Sequence, residues 1–224
     1  MKQVLLSNSE FFNQVAILQE GKLIDYLFEL NNNQKVVGNI YKGKVINILP
    51  GMQAAFVDIG LNKNAYLFLD DLLSDKFLKE LKIKKKDVSN ISKVLKTGDE
   101  LLVQVVREPM GEKNISVTTN ISLTGKFIAF IPNNNVVNLS KKIKDPDERK
   151  RLEEIGKSII LNGNGMIIRT FAKGSHKEAI EKEYKMLSNI YMKIEKEYKY
   201  SYAPKLLHKS NSLIDRLFLD YIDS

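Results

Sequence analysis

VGNIYKGKVINILPGMQAAFVDIGLNKNAYLFLDDL, Val37 to Leu72, alternates apolar and polar residues over short runs separated by turn residues. Alternation with a period of two marks strands that bury one face. Along QAAFVDI it sets Ala55, Val57 and Ile59 on one face and Ala54, Phe56 and Asp58 on the other. Along AYLFL it groups Ala65, Leu67 and Leu69 and leaves Tyr66 and Phe68 opposite. The first sets suit the core of a small barrel. The aromatics left on the polar side, flanked by Lys42, Lys44 and Lys63, suit single-stranded nucleic acid, with rings for bases and cations for phosphates. Packing of all three aromatics in a core is the competing reading, and spacing alone does not separate the two.

Working outward, strands are predicted at about 38–49, 52–59 and 64–69, with turns at Pro50-Gly51 and around Gly60-Leu61-Asn62. The charged segment from Asp70 to Leu95 is too long for a hairpin and interrupts the barrel, with Lys84-Lys85-Lys86 on a solvated face. After a turn at Thr97 to Glu100, LLVQVVRE and NISVTT supply two more strands. About five short strands with such turns suit an OB-type barrel. Upstream, QVLLS, QVAILQ and KLIDYLFEL read as strands, with Gly21 in a turn and Asn31 to Lys35 as a polar linker.

From Asn120 the pattern becomes mixed α and β. KFIAFIP reads as a strand ended by Pro132, and Gly163-Asn164-Gly165 as a turn before the strand MIIRT. Two helix starts carry capping boxes: Asp145 with Pro146 and Glu148, and Ser175 with Glu178. Behind the second, Ile180, Tyr184, Leu187, Tyr191, Ile194 and Tyr198 form the apolar stripe of a long helix packed on a sheet. The last segment begins another helix, with Leu213, Leu217, Phe218 and Tyr221 on a face that nothing completes. A fragment is expected from this, with docking of a terminal helix on the first strands as the alternative.

Charge is uneven along the chain. The net charge is +8, and residues 120–210 hold eighteen Lys and Arg against ten Asp and Glu. An excess concentrated in one segment marks a candidate polyanion-facing surface; a lysine-rich composition is the bland alternative, but it would spread more evenly. There is no cysteine, and histidine occurs only at His176 and His208. Disulfides, thiolate zinc sites and cysteine nucleophiles are therefore excluded within this chain. His208 reads as a surface or packing residue. No apolar run is long enough for a spanning helix and no secretory signal is recognisable, so no membrane partner is expected and the cytoplasm is the expected compartment.

Taken together, GNIYKGKV, LPGMQAAFVDIGLNKNAYL, TTNISLTGKFIAFIPNNN and GMIIRT resemble the N-terminal half of the ribonuclease E/G family of bacterial endoribonucleases. The resemblance implies an α+β chain: strands of an RNase H-like piece at 1–36, an S1-type OB-fold barrel at 37–119, a mixed α/β 5′-sensor domain at 120–210, and the start of a returning RNase H-like helix at 211–224. It implies base stacking by Phe56 and Tyr66 and an RNA contact by Lys113. It also implies a pocket for a 5′-monophosphate built from Arg169 and Thr170, lined by Gly125, with Ala129 replacing a larger apolar residue. Lys141 stands where some members carry arginine, which would weaken a bidentate contact. A terminal phosphate carries more charge than an internal one, and a guanidinium with a hydroxyl supplies both charge and directed donors.

The family's catalytic acidic pair, which holds Mg²⁺, and its cysteine-pair zinc link have no counterpart here. Asp70-Asp71, Asp145/Asp147/Glu148 and Asp220/Asp223 fall in turn, cap or helix settings. This chain is therefore expected to be inactive alone, with no catalytic or metal-binding residue of its own. Mg²⁺ and any homo-oligomer would belong to the complete enzyme. The expected partner is single-stranded RNA, preferentially 5′-monophosphorylated, in RNA processing and decay. A stand-alone S1-type RNA-binding protein of translation or the ribosome, indifferent to the 5′ end, is the alternative. A nuclease built on Glu10, Glu20, Asp25 and Glu29 is the least supported, since no motif joins them.

Overall fold

A computed structural model of the chain describes residues 2–30, 36–84, 88–107, 114–160 and 163–210. Lys85, Lys86, Lys113 and the helix expected after residue 210 lie outside the described residues. The first strands, β1 (Lys2–Asn8), β2 (Phe12–Gln19) and β3 (Lys22–Leu30), form an antiparallel sheet in the order β1-β2-β3. Val15 and Ile17, two residues apart on the middle strand, are its buried positions, packed with Val4 and Leu27. Val37–Lys209 forms a separate compact unit.

That unit begins with β4 (Ile40–Leu49), β5 (Ala54–Asp58) and β6 (Ala65–Phe68), an antiparallel meander. β7 (Glu100–Arg107) and β8 (Ser116–Thr118) pair antiparallel. β8 runs parallel to β6 and β7 closes back on β4, giving a five-stranded barrel. Ala55, Val57, Ile59, Ala65 and Leu67 are all buried, as the alternation requires. Gly43 lets β4 lie close against β5, because a Cβ there would lie 2.5 Å from Val57 Cγ1. Leu69, expected to extend β6, instead opens the short helix α1 (Leu69–Leu72), followed by α2 (Asp75–Leu81). Ser74 caps α2 by accepting from the Phe77 N–H at 3.3 Å. Thr119 Oγ1 lies 2.7 Å from the Leu72 carbonyl and 2.9 Å from Ser74 Oγ, fixing this insertion to the barrel wall.

The second half is a four-stranded sheet of β9 (Leu123–Thr124), β10 (Ile128–Ile131), β11 (Val137–Leu139) and β12 (Gly165–Ile168), in the order β11-β12-β10-β9. Two helices cover it, α3 (Pro146–Ile159) and α4 (Lys177–Tyr200). The predicted stripe of α4 meets β10, where Phe130 packs edge-on to Tyr184 at 5.3 Å between ring centroids. Gly156 of α3 allows close approach to β11, since a Cβ would fall 2.6 Å from Val137.

Both capping expectations need correction. Asp145 caps α3 by accepting from Asp147 N–H at 3.0 Å, but Glu148 does not complete a box. Its carboxylate is taken by Arg151 at 2.7 Å and by the Gly174 N–H at 2.9 Å. At α4 the cap position is His176, with no side-chain cap, and Ser175 Oγ lies 3.3 Å from the Phe171 carbonyl. Ser175 belongs to the preceding turn, so the helix starts one residue too late for it to cap.

A final strand, β13 (Lys205–His208), adds to β4 outside the barrel. Lys42 is part of the same junction and overturns its expected role beside the aromatics. It is only 6% exposed, donates to the carbonyls of Tyr198 at 3.1 Å and Ser201 at 2.8 Å, and pairs with Glu100 at 2.7 Å. A cation at a helix C-terminus satisfies orphan carbonyls and the helix dipole together. Its hydrogen bond also holds the Glu100 carboxyl below the usual range.

Candidate nucleic-acid interface

Phe56, Tyr66 and Phe68 of the opening stretch are not in the core, whereas Tyr41 of β4 is buried. Phe56 on β5 and Tyr66 on β6 are direct cross-strand partners, with ring centroids 4.6 Å apart and planes tilted by 53°. Two residues along β6, Phe68 continues the row at 5.6 Å from Tyr66, nearly parallel at 18°. Phe56 and Tyr66 are half-buried, and Phe68 is 40% exposed. Their strand neighbours point into the core, so the pleat forces the rings onto the outer face. Lys44 and Lys63 are exposed as expected, and Ser116 of β8 lies opposite Tyr66. Lys113, three residues before Ser116, lies outside the described residues. An outer row of rings with cations nearby can stack unpaired bases while tolerating any sequence.

The second group gathers at one end of the four-stranded sheet. β12 ends at Ile168 and delivers Arg169, whose N–H donates to the Phe127 carbonyl at 2.7 Å. The Arg169 guanidinium donates to the Gly125 carbonyl and, at 3.3 Å, to that of Lys126. It also lies 5.9 Å from the centre of the Phe171 ring. Thr170 follows at the start of a single 3-10 turn, Thr170–Ala172. Lys141 is exposed at the same sheet end, directly after Ser140, whose N–H donates to Ile168 at 2.8 Å. Ala129 is half-buried on β10, paired with Ile167. Arg169, Thr170 and Gly125 are thus neighbours, with Lys141 beside the strand that carries Arg169.

Gly125 has a reason to be glycine that the sequence does not disclose. A Cβ there would lie 2.4 Å from the carboxyl carbon of Glu183. Glu183 of α4 was missed because the reading of that helix followed its apolar stripe. The available signal was a carboxylate sitting between Ile180 and Leu187 beside Tyr184, on the buried face. Glu148 binds both Arg151 and the Gly174 N–H, and Arg151 donates to the Ser175 carbonyl at 3.1 Å. This anchors the loop after Thr170 to α3. The Arg151 hydrogen bond is the main reason the Glu148 carboxyl is held down to about 2.

A cavity of about 310 Å³ lies elsewhere, lined by Lys76, Asn133, Asn134 and Tyr191, and none of the candidate RNA-contacting residues borders it. Lys76 donates to Glu195 at 2.7 Å, and burial pushes the Tyr191 hydroxyl up to about 12. Among the described residues, no cluster of three or more His, Cys, Asp or Glu could hold a metal ion. No described helix is long and apolar enough to cross a membrane.

A closed barrel with an outer aromatic row, joined to an α/β lobe, defines an S1-type nucleic-acid-binding architecture. Residues 35–120 match the S1 RNA binding domain, and residues 122–224 match the Ribonuclease E/G family. The chain thus carries an S1 domain followed by a domain of the ribonuclease E/G family. It is 34% identical over 222 residues to Ribonuclease G of Haemophilus influenzae, covering 98% of this chain and 45% of that protein. It is 32% identical over 223 residues to Ribonuclease G of Escherichia coli K12, covering 99% and 46%. With Ribonuclease E of Escherichia coli K12 the identity is 30% over 224 residues, covering 99% and 21%. The chain therefore spans less than half the length of these relatives. The match beyond the barrel favours the ribonuclease-related reading over a stand-alone S1 protein.

Proposed function

We propose that this chain is the RNA-recognition region of a ribonuclease E/G-type endoribonuclease acting in RNA processing and decay. Phe56, Tyr66 and Phe68 stack single-stranded bases, and Lys44, Lys63 and Lys113 meet the backbone phosphates. Arg169 and Thr170, with Gly125 and Lys141 beside them, receive the 5′-monophosphate. The observation that carries the reading is the outer row of three rings on the barrel. The arginine at the sheet end, held by two backbone carbonyls, supports the second element.

Residues 37–119 serve as the S1 domain and 120–210 as the 5′ sensor, with 1–36 and 211–224 contributing to an RNase H-like piece. The complete enzyme uses Mg²⁺, acts in the cytoplasm and forms any homo-oligomer. Hydrolysis needs carboxylates converging on an open ion. The described residues offer no such set, so no catalytic step is assigned to them.

The test is equilibrium binding of two matched short RNAs, one 5′-monophosphorylated and one 5′-hydroxyl, with cleavage followed in Mg²⁺. Binding of both, tighter for the monophosphate and without cleavage, is expected. Equal binding removes the 5′-end role, and cleavage contradicts the assignment of chemistry to other residues.

A further inference from the structure

We propose that Glu183 is the positioning residue of the Arg169 site, acting through the backbone of the 125–128 turn. Three consecutive N–H groups converge on its carboxylate: Lys126 donates to Oε1 at 2.6 Å, and Phe127 and Ile128 donate to Oε2 at 2.8 and 2.9 Å. The residue is 9% exposed. Successive backbone N–H groups form an anion-binding concavity, and here the protein's own carboxylate fills it.

The opposite side of the same turn faces Arg169. The peptide group joining Gly125 to Lys126 accepts from the guanidinium at its oxygen and donates to Glu183 at its nitrogen. The next peptide group, from Lys126 to Phe127, does the same. Two consecutive peptide units therefore lie between a cation and an anion, each polarised along its own dipole. Hydrogen bonds in series strengthen one another, and those with an ionised partner are the strong ones. Glu183 thereby makes the two carbonyls better acceptors and fixes the plane in which the guanidinium presents its remaining N–H groups. Gly125 completes the device, because any side chain would displace the carboxylate.

This inference rests on the reading of Arg169 as the 5′-phosphate ligand, but its first test needs no RNA. In the full chain labelled with ¹⁵N-arginine, a guanidinium held by two carbonyls rotates slowly and shows distinct Nη resonances. Glu183→Gln has one acceptor oxygen and no charge, and is expected to merge or broaden the Arg169 signals. Unchanged signals would overturn the proposal. The second test compares binding of the 5′-monophosphate and 5′-hydroxyl RNAs. Glu183→Gln should reduce the preference for the monophosphate by about tenfold, on the scale of a charge-assisted hydrogen bond, while 5′-hydroxyl affinity stays within about twofold. A parallel loss for both RNAs would reduce Glu183 to a purely structural residue and overturn the proposal. Should Glu183→Gln fail to fold, Glu183→Asp, which keeps the charge but shortens its reach to the three N–H groups, carries the same two tests. If the unaltered chain shows no end preference but the Arg169 signals still respond, the phosphate reading fails while Glu183 keeps its positioning role.

Discussion

The barrel face and the sheet end are built on opposite principles. Phe56, Tyr66 and Phe68 touch one another through ring faces and edges, and the pleat of two strands is enough to present them. Arg169 depends on a backbone turn, which depends in turn on a carboxylate of a distant helix. The first surface needs only period-two alternation and accepts varied ligands. The second joins elements far apart in sequence, with 44 residues between Arg169 and Gly125 and 57 between Lys126 and Glu183. In the function proposed above, stacking supplies general affinity and the buried polar device supplies choice.

Substitutions at the rings, at Arg169 and at Lys42 bear on that contrast, and the largest effect falls on the rings. Phe56→Ala or Tyr66→Ala should weaken single-stranded RNA by about 1–3 kcal/mol, equally for both 5′ ends, read by fluorescence anisotropy. Next comes Arg169→Ala, which should abolish the preference for a 5′-monophosphate and leave 5′-hydroxyl binding within about twofold. Arg169→Lys should not restore it, because a point charge cannot hold two carbonyls and still offer a planar fork. Lys42→Met sharpens the comparison from outside both surfaces. It should cost about 1–3 kcal/mol of stability by leaving the Tyr198 and Ser201 carbonyls without their charged donor, with RNA affinity unchanged in the folded protein. A salt-sensitive loss of RNA binding instead would return Lys42 to the phosphate-contacting set.

The smallest effect is a pH dependence. The Glu148 carboxyl is lowered from 4.5 to about 2 in the folded chain, chiefly by its Arg151 hydrogen bond. A lowered pKa means the contribution is complete above the ordinary carboxylate range and fades as pH falls through the folded value. Melting curves of the parent and Glu148→Gln should therefore differ near neutral pH, by under about 1 kcal/mol for so accessible a pair, and converge toward about pH 2.

Local signals carried much of the fold. Alternation in QAAFVDI and AYLFL places Ala55, Val57, Ile59, Ala65 and Leu67 in the core correctly, but Ala54, set on the other face, is buried as well and Leu69 leaves the strand for α1. The three- and four-residue spacing of Ile180, Tyr184, Leu187, Tyr191 and Ile194 likewise gives the core of α4. Long-range features were hidden for a common reason: their partners share no local pattern. Lys42 meets carbonyls 156 and 159 residues away, and β13 pairs with β4 across most of the unit. The motif at Ser175 satisfies the spelling of a capping box, yet the preceding turn recruits its hydroxyl. At the candidate site, Phe56 and Tyr66 were legible from alternation as outward-facing rings, and Arg169 only through the family resemblance. Glu183 was not, since its role is set by three backbone N–H groups that only the folded turn brings together.

The most direct test of two separable recognition elements is a crossed binding experiment. Phe56→Ala, Arg169→Ala and the double variant are each titrated with the matched 5′-monophosphate and 5′-hydroxyl RNAs. Separable elements predict that Phe56→Ala lowers both affinities by one factor and keeps their ratio, and that Arg169→Ala brings the ratio to one and keeps 5′-hydroxyl affinity. The double variant should then show both losses, additive in free energy. Loss of the end preference in Phe56→Ala, or an equal loss for both RNAs in Arg169→Ala, would contradict the account.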